Sequence, residues 1–326
     1  MNKKCNLNQN QDFYDGKTKV IVLPEAGYSD RVVKAGVLAA KRKIAKIVFL
    51  VKDNQLKGQT FDEDYIKVVN IKKSDLRPVL ASALHMKRAN KGVTLEMAEG
   101  MINDPIYFAT VMVDLGLADG LVCGAETSTS NTLRPALQII KGKDGQRVSS
   151  FFHMYKDKTN MLFADCGLVE NPTAEELCDI AYQSYQSAKT ICGIKTPRIA
   201  FLSYSTKGSA DGEVPQKSRL AYELFAKKYP DIIADGELQL DSAIVPSVAK
   251  LKCTNSPVAG RANVLIFPDL QSGNIGYKLA QRLGGFTAVG PICQGLNKPV
   301  NDVSRGASIE EIVSAIQITE KQSKIR

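Results

Sequence analysis

Short apolar runs rich in β-branched residues alternate along this chain with longer stretches whose apolar residues recur at helical spacing. Val20-Ile-Val-Leu23 is the first such run, the pattern of a strand buried on both faces, and Pro24 ends it. Residues 28–43 follow with apolar positions at helical spacing and a basic far face, and Lys46-Ile-Val-Phe-Leu-Val51 is the next strand. Strand, helix and strand in that order predict a right-handed βαβ unit in a parallel sheet. Ile66-Lys-Val-Val-Asn-Ile71 continues it, and residues 76–88 and 94–116 read as helices, broken at Asn90-Lys-Gly92 and Asn103-Asp-Pro105.

Gly120-Leu-Val-Cys-Gly124 is a glycine-bounded strand, followed by Ala125-Glu-Thr-Ser-Thr-Ser-Asn-Thr-Leu-Arg134-Pro and a helical run to Lys141. Hydroxyls crowded between a strand end and a helix start suit an anion, because helix N-terminal amides and the macrodipole favour negative charge. Simple N-capping by one of them is the plainer alternative. The turn-rich stretch Gly142-Lys-Asp-Gly-Gln-Arg marks a domain boundary. Beyond it the rhythm resumes: strands at 148–154 and 161–168 joined by a turn at 156–160, a helix from the capping box Thr173-Ala-Glu-Glu176 to Cys192, and a strand at 198–203. A second polar strand-end loop, Tyr204-Ser-Thr-Lys-Gly-Ser209, comes next, then helical stretches at 214–228, 243–252 and 272–283 between the strand-like 237–240, 263–267 and 286–293. The fold class is therefore α/β, with doubly wound, mostly parallel sheets.

Residues 297–306, Asn-Lys-Pro-Val-Asn-Asp-Val-Ser-Arg-Gly, read as a long polar loop between the buried strand at 286–293 and a final helix at 308–320. It carries more functional side chains than a connection needs, and sites tend to sit on such strand–helix loops.

At 326 residues the chain exceeds the ~250–300 at which single cores stop growing, so two domains are expected. A formal charge of +9 favours anionic partners. No basic run with interleaved aromatics and no zinc spacing points to nucleic acid. The seven cysteines are scattered, with no C-x-x-C pair, as expected of buried thiols in a reducing, cytoplasmic compartment. The polar start Met1-Asn-Lys-Lys-Cys5 lacks the apolar core of a signal peptide, and no apolar run approaches the ~18–20 residues of a membrane span. There is no G-x-G-x-x-G or Walker A loop, and two histidines, His85 and His153, build no metal site or triad. No metal or permanently bound cofactor is expected.

Several stretches together resemble the phosphate acetyltransferase (phosphotransacetylase) family over about residues 19–319. They are Val22-Leu-Pro-Glu25, Ala118-Asp-Gly-Leu121, Asn131-Thr-Leu-Arg-Pro-Ala-Leu-Gln138, Ser203-Tyr-Ser-Thr-Lys-Gly-Ser209, Asp235-Gly-Glu-Leu-Gln239, and residues 263–285 and 290–306. The resemblance implies reversible acetyl transfer between coenzyme A and inorganic phosphate, giving acetyl phosphate. It implies two α/β domains, 1–145 plus 300–326 and 146–299, an active site in an interdomain cleft, and a homodimer. Carried over by position, the family's serine–arginine pair falls on Ser304 and Arg305, its other functional arginines on Arg88 and Arg134, and its general base on Glu311. The phosphate-side hydroxyls fall on Ser128 and Thr129. The chain departs from the family in two places: relatives usually carry Asp where Glu311 stands, and often His-Thr-Thr-Ala-Asp where this chain has Thr127-Ser-Thr-Ser-Asn.

The chemistry asks for these residue types. A thiol of pKa ~8.5 must lose its proton to attack, and a nearby carboxylate can take it. Guanidinium groups bind phosphate bidentately, and a serine hydroxyl can donate to the carbonyl oxygen as it becomes negative. Direct transfer needs no enzyme nucleophile, so no cysteine is assigned a role. Ser308-Ile-Glu-Glu311 is also a capping box, which gives Glu311 a second possible employment. Arg88 could equally be a helix C-terminal cation. The rival readings are phosphate butyryltransferase and a non-catalytic regulatory or binding module of the same family.

Overall fold

The computed structural model describes residues 13–325, so Cys5 and the polar start lie outside the described residues. The chain divides into two units, one comprising the described residues up to Lys141 together with those from Leu296 on, the other Gly142–Gly295.

In the first unit the elements run β1 (Val20–Leu23), α1 (Asp30–Lys41), β2 (Lys46–Val51), β3 (Ile66–Asn70), α2 (Arg77–Arg88), α3 (Leu95–Met101), α4 (Pro105–Asp114), β4 (Gly120–Cys123) and α5 (Thr129–Ile139). β1, β2 and β4 are buried along their whole length, as apolar runs require in β1, in β2 after Lys46 and in β4 after Gly120. α1 buries Val32, Val33, Ala35, Gly36, Ala39 and Ala40, the stripe its spacing predicts.

The second unit holds β5 (Ser149–Lys156), β6 (Thr159–Ala164), α6 (Ala174–Thr190), β7 (Ile199–Leu202), α7 (Glu213–Lys228), β8 (Ala234–Leu238), α8 (Leu240–Ile244), α9 (Pro246–Lys252), β9 (Val264–Ile266), α10 (Leu270–Arg282) and β10 (Thr287–Gln294). Its strand order is β10-β5-β6-β9-β7-β8. β6, β9, β7 and β8 pair in parallel, while the β5–β6 hairpin and β10 are antiparallel. The turn expected at 156–160 shrinks to Asp157-Lys158, because Lys156 pairs with Thr159 and Asp157 takes φ +49°. The helix expected at 243–252 is two, because Pro246 has no N–H to continue the α8 ladder.

The chain then returns to the first unit with β11 (Val300–Asp302) and α11 (Ile309–Lys324). Here the reading of 297–306 as a loop is corrected. Val300, Asn301 and Asp302 pair in parallel with Leu121, Val122 and Cys123 of β4. Asn301 is fully buried because its amide donates to Thr319 Oγ1 and Gln322 Oε1, both at 2.7 Å. Polar residues sit in a strand because distant partners satisfy them. α11 packs Ile312, Val313, Ala315 and Ile316 into the same core as α1, β1 and β2.

The first sheet has the order β11-β4-β1-β2-β3, with every pairing parallel. From β1 the chain builds outward through β2 and β3, then crosses to the other side of β1 for β4 and β11. That reversal at β1/β4 is a topological switch point, and ligands of open α/β sheets bind at the carboxyl ends of strands beside it.

Candidate active site

Three strand ends therefore define where to look. β1 runs out into Pro24 and Glu25, β4 into Gly124-Ala125-Glu126, and β11 into Val303-Ser304-Arg305. Because the strands are parallel neighbours, these segments lie on one edge of the sheet.

Gly124 is the hinge of the β4 exit. Its φ is +105°, and a Cβ there would lie 2.2 Å from Asp302 Oδ1 and 2.5 Å from the Val303 carbonyl. Only glycine lets the two exits approach this closely. The buried Glu25 carboxylate then receives the next two amides, Ala125 N at 2.9 Å and Glu126 N at 3.0 Å.

Ser128 and Thr129 open α5. Ser128 is the N-cap, accepting from Asn131 N at 3.4 Å, so the capping reading holds for this residue. Thr129 instead donates to Asp302 Oδ2 at 2.6 Å, which joins the α5 N-terminus to the β11 exit. Asp302 is 2% exposed, and burial pushes its carboxyl up to about 6. The Thr129 hydroxyl and Arg305 oppose that rise, while Glu25 adds to it. Among the described residues Oδ1 of Asp302 meets no hydrogen-bond partner, and the buried Thr132 hydroxyl faces the carboxyl without closing a well-formed bond.

Arg31, read only as part of the basic face of α1, turns out to span both exits. Its guanidinium donates to the carbonyls of Ala307 at 2.7 Å, Ala125 at 2.9 Å and Arg305 at 3.0 Å, and to Glu126 Oε1 at 2.9 Å. Ser29 also donates to Glu126, and with Arg31 it holds that carboxyl below its usual range. Ser304 and Arg305 themselves are exposed, on a backbone fixed from below.

Arg88, the last residue of α2, and Arg134, on α5, both bear on Tyr107 of α4. Both lie close enough to Tyr107 to oppose the rise that burial imposes on its phenol, with Arg134 the stronger. Arg88 Nε is buried and has no hydrogen-bond partner among the described residues. A buried guanidinium N–H without an acceptor is costly, and an anion is the natural acceptor.

Glu311 sits in the first turn of α11, and the capping box forms: Ser308 N donates to Glu311 Oε2 at 2.7 Å, and Glu311 N to Ser308 Oγ at 3.2 Å. Among the described residues no hydrogen bond joins Glu311 to Ser304 or Arg305. Cys123, beside the site, is no nucleophile: burial first, then Glu25 and Asp302, raise its thiol well above the ordinary value.

Two other features hold no such chemistry. The polar loop at 204–209 in the second unit closes on protein partners, with Ser205 Oγ, Gly208 N and Arg219 all bonded to the buried Glu237. A groove of about 870 Å3 beside β3, lined by Lys46, Thr60, Phe61 and Val68 among others, contains none of the candidate residues. No group of three or more His, Cys, Asp or Glu among the described residues could hold a metal ion.

The family described as Phosphate acetyl/butaryl transferase matches residues 7–320. A phosphate acetyltransferase of Thermoanaerobacterium thermosaccharolyticum is 48% identical over 315 residues, 94% of this chain and 95% of that protein. One from Acetivibrio thermocellus is 47% identical over 316 residues, 94% of each. The crystal structure of a phosphotransacetylase from Streptococcus pyogenes matches with a TM-score of 0.89 at 42% identity, covering 97% of this chain and 99% of that one.

Proposed function

The chain belongs to the phosphate acetyl/butaryl transferase family, and on that premise we propose how its residues divide the work of acetyl transfer. It is an acyltransferase, a phosphate acetyltransferase that moves an acetyl group reversibly between coenzyme A and inorganic phosphate, as do relatives 41–48% identical to it. Coenzyme A, acetyl phosphate and phosphate are its substrates, and none is held permanently.

In the direction of acetyl-CoA synthesis, Glu311 takes the proton of the coenzyme A thiol and the sulfur attacks the acetyl carbonyl. The carbon–sulfur bond forms as the bond to the phosphate oxygen breaks, and phosphate leaves. Ser304 donates to the carbonyl oxygen as charge gathers there. Arg305, Arg134 and Arg88 bind the phosphate, with Ser128 and Thr129 at the α5 N-terminus. The observation that carries this reading is the buried Nε of Arg88, which no hydrogen-bond acceptor among the described residues satisfies and which an anion would.

Glu311 has to leave its cap, or share it, to act as the base. Glu311→Gln keeps an oxygen for the Ser308 amide and removes the basic carboxylate. Acetyl transfer is expected to fall ~10²–10⁴-fold in Glu311→Gln and to survive in Glu311→Asp. A fully active Glu311→Gln returns the residue to capping alone.

Acetyl and butyryl phosphate assayed side by side test acyl length, where one methylene is worth only ~1–3 kcal/mol of discrimination. We also read the protein as a cytoplasmic homodimer. α10 and its C-cap Leu283 expose Ile275, Leu279 and Leu283 four residues apart, an apolar stripe suited to a second copy. No helix among the described residues is long and apolar enough to cross a membrane.

A further inference from the structure

Asp302 lies outside the roles assigned so far. It is 2% exposed, at the end of β11 and two residues before Ser304, and its Oδ2 accepts the Thr129 hydroxyl proton at 2.6 Å. A threonine hydroxyl has one hydrogen and two lone pairs. With that hydrogen given to Asp302, Thr129 Oγ1 can offer a ligand only lone pairs.

We propose that Asp302 is a positioning residue that turns the Thr129 hydroxyl into an obligate acceptor, so that the cradle prefers a phosphate carrying a P–O–H hydrogen over an acyl phosphate carrying none. The inference rests on the reading that Thr129 meets the phosphate. The two phosphate-bearing substrates differ in that hydrogen: inorganic phosphate is largely HPO4²⁻ near neutrality, whereas the acetyl phosphate dianion has acceptor oxygens only. A lone pair facing an oxygen anion repels, and facing a P–O–H it accepts a hydrogen bond. Thr129 thus helps distinguish the two directions of the reaction, while the arginines bind both.

The groups facing the Asp302 carboxyl are Glu25 beyond β1, Cys123 at the end of β4, Thr129 and Thr132 on α5, and Arg305 on its own segment. Glu25 alone among them is a second carboxylate, and it is engaged by the amides of Ala125 and Glu126. Thr129 is the hydroxyl that reaches from Asp302 to the start of α5.

In Asp302→Asn the amide can donate to Thr129 Oγ1, which frees the hydroxyl hydrogen for the substrate. At pH 8 the KM for phosphate is expected to rise about tenfold relative to the KM for acetyl phosphate, the size of one hydrogen bond. Thr129→Val should raise the phosphate KM by a similar factor, and Thr129→Ser should restore it. Equal shifts of both KM values in Asp302→Asn, or no shift in either, would overturn the proposal while leaving the cradle in place. An unchanged phosphate KM in Thr129→Val would remove the cradle reading itself, and the proposal with it. Should Asp302→Asn fail to fold, acidifying the wild type from pH 8 to 5.5 protonates Asp302 instead. The KM ratio, normalised to that of Thr129→Val at each pH, must then move in the same direction, and a flat ratio refutes the idea.

Discussion

Arg31 Nη2 lies 3.0 Å from the backbone oxygen of Arg305, so an arginine from the first helix holds the main chain that carries a candidate catalytic arginine near the other end of the sequence. The same guanidinium binds the carbonyls of Ala125 and Ala307. Its ion pair with Glu126 is more than a third exposed at both ends, so the pair itself adds little to stability.

Removing Arg31 should therefore injure catalysis more than folding. In Arg31→Ala, kcat/KM is expected to fall at least about tenfold, ~1.4 kcal/mol of transition-state binding, with the thermal midpoint moved by only a few degrees. Arg31→Lys should recover part of the loss at most, since an ammonium cannot reach three carbonyls in a fixed fork. Wild-type kinetics in Arg31→Ala would show that the loop holds itself.

Asp302 predicts a pH dependence of stability. Its folded value is about 6 against an ordinary 3.8. The native state therefore binds this proton more tightly than the unfolded chain does. The resulting stability is fully present below pH ~4 and is lost as pH rises through 6, a swing of about 3 kcal/mol from this group. Asp302→Asn lacks that swing. The free-energy difference between variant and wild type, from urea denaturation, should thus shift in the variant's favour by about this amount between pH 4 and pH 8. A difference constant with pH contradicts the shifted carboxyl.

The α10 stripe makes a prediction about assembly. Leu279 is 52% exposed between Ile275 and Leu283. Light scattering should find the wild type dimeric, and Leu279→Glu should weaken the dimer at least about tenfold by placing a charge in an apolar contact. A wild-type monomer, or a variant dimer of undiminished affinity, assigns the contact elsewhere.

Much of the fold is legible in the sequence because parallel strands buried on both faces read as unbroken apolar runs. Val20–Leu23, β2 after Lys46 and β4 after Gly120 are all of this kind. β11 is not, since only one of its three residues is apolar. What buries Asn301 and Asp302 are partners remote in sequence, Thr319 and Thr129, which no local pattern displays. Arg31 was hidden for the same reason: on a helix with a basic face it looks like any solvated cation. A polar pair directly after Pro299-Val300 and before Ser304 was the one available hint of Asp302. Glu311 was legible in both its readings, and the capping geometry is the one the side chain adopts.

The return of the chain to the first unit also sets an order of events during synthesis. β4 has no partner on its outer edge until β11 is made, and the core around α1 lacks Ile312 and Ile316 until α11 is made. The whole of the second unit, Gly142–Gly295, is translated in between. At ~5–20 residues per second the nascent first unit waits on the order of ten seconds with an open sheet edge and an uncovered apolar face. The second unit, contiguous in sequence, can close first. A message truncated anywhere beyond Gly295 but before α11 should therefore yield a folded middle flanked by an unfinished, chaperone-dependent remainder, and the start of the protein is completed by its end.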